Sequence, residues 1–236
     1  MEQLKTFFKN KSISNILDVA TGKGQFIKAL MDIFPEATFT GIDPDTESLM
    51  LAEESFHGSN VKFLRMNSEK LDFGNGQFGL VSISNGLHHL PDIEASLSEM
   101  KRVVKPGGWI VISEHVSDNL SPAQENQKFY HHLKSLADRH GGNYHRETWK
   151  KQEILNIILR SGIHVETFFD YSDGISFINE TKNTKYWVNK FREHIEELKG
   201  LPVYQELLPK VDEFRKRIEK EGMEHAANVV VIGKKE

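Results

Sequence analysis

An apolar run at residues 16–20 leads directly into Thr21-Gly22-Lys23-Gly24. Apolar residues then return at helical spacing, at Phe26, Ile27, Ala29, Leu30, Ile33 and Phe34, until Pro35 closes the series. That is strand, glycine turn and helix, and the chain repeats the unit. Residues 38–42 read as a second strand and 45–56 as a second helix. Strands follow at 61–66 and 78–84, then a helix at 92–104. Lys105-Pro106-Gly107-Gly108 reads as a turn into a fifth strand at 109–113. Strands alternating with helices give an α/β fold, a doubly wound and mostly parallel sheet with helices on both faces.

In such sheets ligands bind outside the carboxyl ends of the strands. The loops to examine are therefore 18–24, 43–45, 67–69, 85–89 and 114–117. Past the fifth strand the rhythm breaks. Residues 121–140 read as an inserted helix, with Phe129, Leu133, Leu136 and Ala137 on one face and Gly141-Gly142 at its end. A helix at 148–161 and a strand at 163–169 resume the alternation. A second interruption, 171–225, is mostly helical with an apolar stripe of Tyr186, Trp187, Phe191, Ile195 and Leu198. A last strand follows at 227–232. We expect one domain over 1–236 with helical insertions at about 116–145 and 171–225.

Composition narrows the function. The chain has no cysteine, so disulfides, thiolate metal sites and cysteine nucleophiles are excluded. A net charge of -4 argues against nucleic-acid binding by bulk charge. No apolar run is long enough to span a membrane, and residues 1–10 do not read as a secretory signal. A cytoplasmic protein is the expectation.

The turn Asp18-Val19-Ala20-Thr21-Gly22-Lys23-Gly24 lets a ligand approach the backbone at a helix start. Its plainer use is a simple strand–helix connection. Gly41-Ile42-Asp43-Pro44-Asp45 ends the second strand. Asp43 there would accept from ribose hydroxyls, while Asp45 or Thr46 caps the following helix and leaves Asp43 free. Nicotinamide dinucleotides and S-adenosylmethionine both suit this geometry. The dinucleotide fingerprint wants a third glycine where this chain has Ile27, and an acidic Asp18 suits a pyrophosphate badly. It suits a cationic amino group.

With these residues in place the chain resembles the class I S-adenosylmethionine-dependent methyltransferases, in the small-molecule branch that includes the ubiquinone-biosynthesis type (methyltransferase type 11). Asp18, Gly22 and Gly24 match the acidic-x-Gly-x-Gly-x-Gly pattern, with Ala20 at its first glycine. Asn67-Ser68-Glu69-Lys70-Leu71-Asp72-Phe73, Leu87-His88-His89-Leu90-Pro91-Asp92 and the run from Glu99 to Gly108 are similar to further family segments. The resemblance implies a seven-stranded Rossmann-like sheet of order 3-2-1-4-5-7-6 with an antiparallel last strand. It implies that Asp18 and the backbone of Ala20, Thr21, Gly22 and Gly24 hold the methionine part of S-adenosylmethionine. Asp43, beside Pro44, would take the ribose. Asn67, Ser68 and Glu69 would face adenine, and Asn85, Gly86 and Leu87 would border the sulfonium. Asn67 replaces the family's aspartate, and its amide oxygen can still accept from the adenine amine. Gly79 replaces an aspartate of the fourth strand, which puts that strand's local bonding in question.

The expected activity is in-line methyl transfer to a small-molecule acceptor with an O, N or C nucleophile. S-adenosylhomocysteine would be the product. His88, Glu114 and His115 are the candidate catalytic residues, with His88 facing the acceptor and His89 structural. His131-His132 reads as a solvated helix face. No metal-ligand spacing is recognised and no metal is expected. The 171–225 insertion would either cover the site and select the acceptor or form a homodimer contact. Two other readings stand beside this one, a non-catalytic S-adenosylmethionine-binding protein and a nicotinamide-dependent oxidoreductase.

Overall fold

The computed structural model describes residues 1–177 and 181–236. Residues 178–180, part of the expected second insertion, lie outside the described residues. Strand β1 (Asn15–Val19) runs parallel to β2 (Thr38–Asp43) on one side and to β4 (Phe78–Ser84) on the other. Strand β3 (Val61–Arg65) continues the parallel pairing from β2, and β5 (Val104–His115) continues it from β4. With β6 (His164–Tyr171) and β7 (Asn228–Lys234) the sheet has seven strands in the order β3-β2-β1-β4-β5-β7-β6, and the β5, β7 and β6 pairings are antiparallel. The expected order and the reversed last strand are both present.

Helices α2 (Gln25–Met31), α3 (Thr46–Ser55), α4 (Ile93–Val103) and α6 (Lys151–Arg160) connect the strands. Their boundaries follow local chemistry. Asp45 accepts from the Glu47 and Ser48 N–H groups and so caps α3, and Asp92 accepts from Ala95 N–H to cap α4. Buried Ile16, Leu17, Ile27, Leu30, Ile42, Leu80 and Ile83 build the core around the central strands. Helix α1 (Glu2–Phe8) was not anticipated, because seven residues with two buried apolar side chains carry little periodic signal. It is held by aromatic edges, Phe8 meeting Trp109 at 5.6 Å and Phe34 at 5.3 Å between ring centres.

Two sequence readings are corrected here. Residues 105–108 are not a free-standing turn before the fifth strand. Strand β5 begins at Val104, and its register against β4 shifts between Phe78 and Leu80, which accommodates the Pro106-Gly107-Gly108 irregularity. Gly79 does not leave β4 short of a partner either. Its N–H donates to Asn15 Oδ1 at 3.0 Å, and Asn15 Nδ2 donates to the Gln77 carbonyl at 2.6 Å. A side chain on β1 thus supplies the partner.

The chain divides into two units, one made of 1–114, 152–170 and 229–236 and the other of 115–151 and 171–228. The second gathers the two insertions. Helices α5 (Pro122–His140), α7 (Thr181–Glu196) and α8 (Pro202–Glu221) share a core that includes Tyr130, Leu133, Phe191, Ile195, Leu207 and Phe214. A complete capping box, Ser121 with Gln124, starts α5. Among the described residues no helix is long and apolar enough to cross a membrane.

Gly41 shows how closely the first loop sits on the sheet. A Cβ there would stand 2.8 Å from Thr21 Cγ2 and 2.9 Å from the Phe63 ring. We expect Gly41→Ala to lower stability by about 1–3 kcal/mol through overpacking, read from the midpoint of denaturant unfolding.

Candidate active site

The carboxyl ends of β1, β2 and β4 converge on one set of loops. After β1 the backbone enters the left-handed region at Ala20 (φ 51°), Gly22 (φ 52°) and Gly24 (φ 79°), and after β4 at Asn85 (φ 50°). A non-glycine residue with positive φ is strained and is held only where its surroundings over-determine it. Here the surroundings do so. Thr21 N–H donates to the Ile42 carbonyl, and Asn85 N–H donates to the Ser113 carbonyl. The two loops also touch, since a Cβ on Gly86 would lie 3.0 Å from Ala20 Cβ and 2.9 Å from Ile83 Cγ1. Gly22 differs: a Cβ there would meet nothing within 4 Å, so the outer side of the turn is open to a ligand.

Asp43 is not left free by the cap on Asp45. Its Oδ2 accepts from Gly22 N–H at 2.8 Å and its Oδ1 from Asp45 N–H at 2.9 Å. The same carboxylate thus ties the glycine turn to the end of β2. Each oxygen still has a second lone pair, which suits vicinal hydroxyls. Pro44 is exposed, and its carbonyl accepts from Arg65 Nε at 3.2 Å.

Asp18 lies beneath this turn with 1% of its surface exposed. It accepts from Thr21 Oγ1 at 2.7 Å and from Ser82 Oγ at 2.6 Å. Burial, and after the opposing hydroxyl bonds the nearby Asp43 charge, push its carboxyl up to about 6. Both of its oxygens are thus engaged by hydroxyls of the fold.

The third loop divides its residues. Asn67 is exposed and Glu69 half-buried, but Ser68 turns inward, its hydroxyl 2.8 Å from that of Ser96 on α4. Ser96 in turn donates to the Asp92 carbonyl.

The fourth loop places its two histidines differently. His88 is 3% exposed, whereas His89 is exposed. His88 Nδ1 lies 2.8 Å from Glu114 Oε1, and Leu87 N–H donates to Glu114 Oε2 at 2.8 Å. Glu114 is fully buried. A carboxylate there accepts from Nδ1–H, which leaves the lone pair on Nε2. Glu114 therefore holds both the loop and the imidazole. His115 belongs to the helical unit, with Nδ1 2.8 Å from Asn228 Oδ1.

Residues 17–112 match the family model described as a methyltransferase domain. That stretch of the chain is therefore similar to a methyltransferase domain. A demethylmenaquinone methyltransferase from Chlorobaculum tepidum is 37% identical over 143 residues, which is 61% of this chain and 57% of that protein. This chain spans about half the length of the curated relatives it matches. The solved structure of a Bacillus halodurans protein superposes with TM-score 0.65 at 19% identity, covering 99% of this chain and 97% of that one. A Haemonchus contortus phosphoethanolamine N-methyltransferase, solved with S-adenosyl-L-methionine, superposes with TM-score 0.57 at 20% identity, over 98% of this chain and 51% of its own.

Within residues 17–112 one pair was matched as family pattern but given no role by sequence reasoning. Arg102 donates to both Glu99 oxygens, to the Leu71 and Phe73 carbonyls and to Asn75, while Glu99 also accepts from Leu71 N–H. The Arg102 bonds hold the Glu99 carboxyl below its usual range. This pair fixes the segment that follows the third loop. The i, i+3 spacing on α4 was the available signal.

Proposed function

We propose that this chain transfers a methyl group from S-adenosylmethionine to a small-molecule acceptor by in-line displacement, releasing S-adenosylhomocysteine. The observation that carries the reading is Asp43, which ends β2, grips Gly22 N–H and keeps lone pairs for a ribose. S-adenosylmethionine, when bound, supplies a methyl group already activated by the sulfonium. The chain's part is then proximity and orientation, worth ~7–11 kcal/mol when geometry is well held.

In this reading Asp43 takes the ribose hydroxyls and Asp18 sets the field for the methionine amino group. The open side of Ala20, Thr21, Gly22 and Gly24 receives the methionine backbone. The Asn67 amide accepts from the adenine amine, and Ser68 acts only through its backbone. Asn85, Gly86 and Leu87 border the sulfonium. His88 takes the acceptor's proton at Nε2, oriented by Glu114 from behind, and His115 has no part in that step. Acceptor preference resides in the 171–225 insertion, which lies outside the family match. The relatives named as demethylmenaquinone methyltransferases favour a flat, apolar acceptor. We place the protein in the cytoplasm. The net charge of -4 disfavours nucleic acid as partner, and homodimerisation through 171–225 is a further proposal.

Two measurements test this. Labelled methyl transfer across a panel of small acceptors should find at least one product, and a panel without turnover but with tight cofactor binding would favour a non-catalytic binder. Asp43→Ala should weaken S-adenosylhomocysteine binding by about 1.5–3 kcal/mol, the range for bonds to a charged group. Unchanged affinity in a folded variant would remove Asp43 from the site.

A further inference from the structure

The helical unit contains a histidine pair that the methyl-transfer reading leaves unused. His131, Lys134 and Asp138 follow one another at helical spacing along α5. The chain then reverses at Gly141-Gly142, with Gly142 at φ 87°, and brings His145 back against the same helix. Arg139 donates to the His145 carbonyl at 2.8 Å, which fixes the return. His145 is 2% exposed, with Nδ1 2.6 Å from Asp138 Oδ2. Its Nε2 lies 3.1 Å from Nε2 of His131, and the rings meet edge to face at 4.8 Å between centres. The expected solvated face is thus a packed one. His132 is also engaged, its Nε2 2.8 Å from Thr148 Oγ1 and accepting from Thr148 N–H.

The chemistry of this pair is specific. Asp138 is paired with Lys134 as well as His145, so it stays ionised and accepts from His145 Nδ1–H. That fixes the tautomer and leaves a lone pair on His145 Nε2, aimed at His131 Nε2. A carboxylate behind an imidazole is the arrangement that orients and strengthens histidine as a metal ligand. Two nitrogens bound at 2.0–2.1 Å to a tetrahedral cation stand ~3.3 Å apart, close to the separation found here. A third imidazole, that of His115, centres 6.2 Å from His131, and its Nδ1 is likewise directed at an oxygen, Asn228 Oδ1.

We propose that His131 and His145 form the imidazole core of a divalent transition-metal site in the helical unit, with Asp138 orienting His145 from behind. Nitrogen donors of this kind suit zinc and its first-row neighbours rather than magnesium or calcium. Sequence spacing does not reveal the site, because the glycine reversal, not a repeat along the helix, brings the second ligand in. The inference does not depend on the methyltransferase reading.

The test uses the full chain, stripped with a chelator, dialysed and titrated with zinc by calorimetry near pH 7.5. One saturable zinc per chain is expected. Asp138→Asn should weaken it 10–100-fold, and the His131→Gln, His145→Gln double variant should lose it. His164→Gln, an exposed histidine of the other unit, should bind like the wild type. Binding should also weaken as the pH falls, because the ligand imidazoles must be deprotonated. No saturable binding by the wild type, or wild-type affinity in the double variant, overturns the proposal. Should the double variant fail to fold, cobalt added to the wild type decides instead. The histidine ring signals broadened first should be those of His131 and His145, and broadening confined to other histidines overturns it.

Discussion

His88→Gln is expected to lower turnover by about 10²–10⁴-fold, the range for losing a positioned general base. Glutamine is chosen because its amide can still donate to Glu114, so the buried carboxylate keeps a partner. Cofactor affinity should change little, since Asp43 and the glycine turn lie on other loops. The acidic limb of the pH–rate profile should disappear with the imidazole if His88 is the base. His88 is buried against Glu114, so a purely structural role makes a different forecast. Stability and cofactor affinity would then fall together, and the surviving activity would keep its pH profile. Measuring affinity, unfolding and pH–rate behaviour on one preparation separates the two roles.

Asp18→Asn is expected to raise the stability of the ligand-free protein above pH 6 while weakening the cofactor. Burial disfavours the charge and pushes the folded carboxyl up to about 6 from its ordinary 3.8. Between roughly pH 4 and 6 the folded state therefore holds more protons than the unfolded one. The Asp18 contribution is fully present below pH 4 and is lost as the pH rises through 6. A shift of this size corresponds to roughly 3 kcal/mol. Asparagine removes the charge, so the variant should lose this slope and unfold at higher denaturant at pH 7.5. The cofactor's ammonium reverses the preference and favours the ionised form. S-adenosylhomocysteine should bind the wild type about tenfold more tightly at pH 7.5 than at pH 5, and the variant should show no such gain. A variant whose stability follows the wild-type pH curve would show that Asp18 is not the group responsible.

Much of the architecture was legible because it rests on local signals. The glycine turn after β1, Asp45 and Asp92 as caps and the Ser121–Gln124 box lie within a few residues of what they determine. The strand order came through resemblance, since no local pattern states which strands are neighbours. What stayed hidden depends on contacts between distant segments. Burial of His88 rather than His89 is decided by Glu114, 26 residues further on in β5. The role of Gly79 could not be read without knowing that Asn15 sits beside it. Asp43 looked unengaged because the cap belonged to Asp45, yet the parallel register of β1 and β2 brings Gly22 N–H onto its carboxylate. Ser68 matched a family segment, but its side chain follows α4, where Ser96 waits. The histidines of α5 had no legible partner until the reversal at Gly142 returned His145 to the helix.

The central claim is that the loops after β1, β2 and β4 hold S-adenosylmethionine. Its most direct test is calorimetric titration of the purified chain with S-adenosylhomocysteine and, separately, with oxidised nicotinamide dinucleotide. The account predicts one S-adenosylhomocysteine per chain and no saturable heat from the dinucleotide, because Ile27 stands fully buried where a third glycine would be needed. Tighter binding of the dinucleotide, or no binding of S-adenosylhomocysteine by the folded protein, would contradict it.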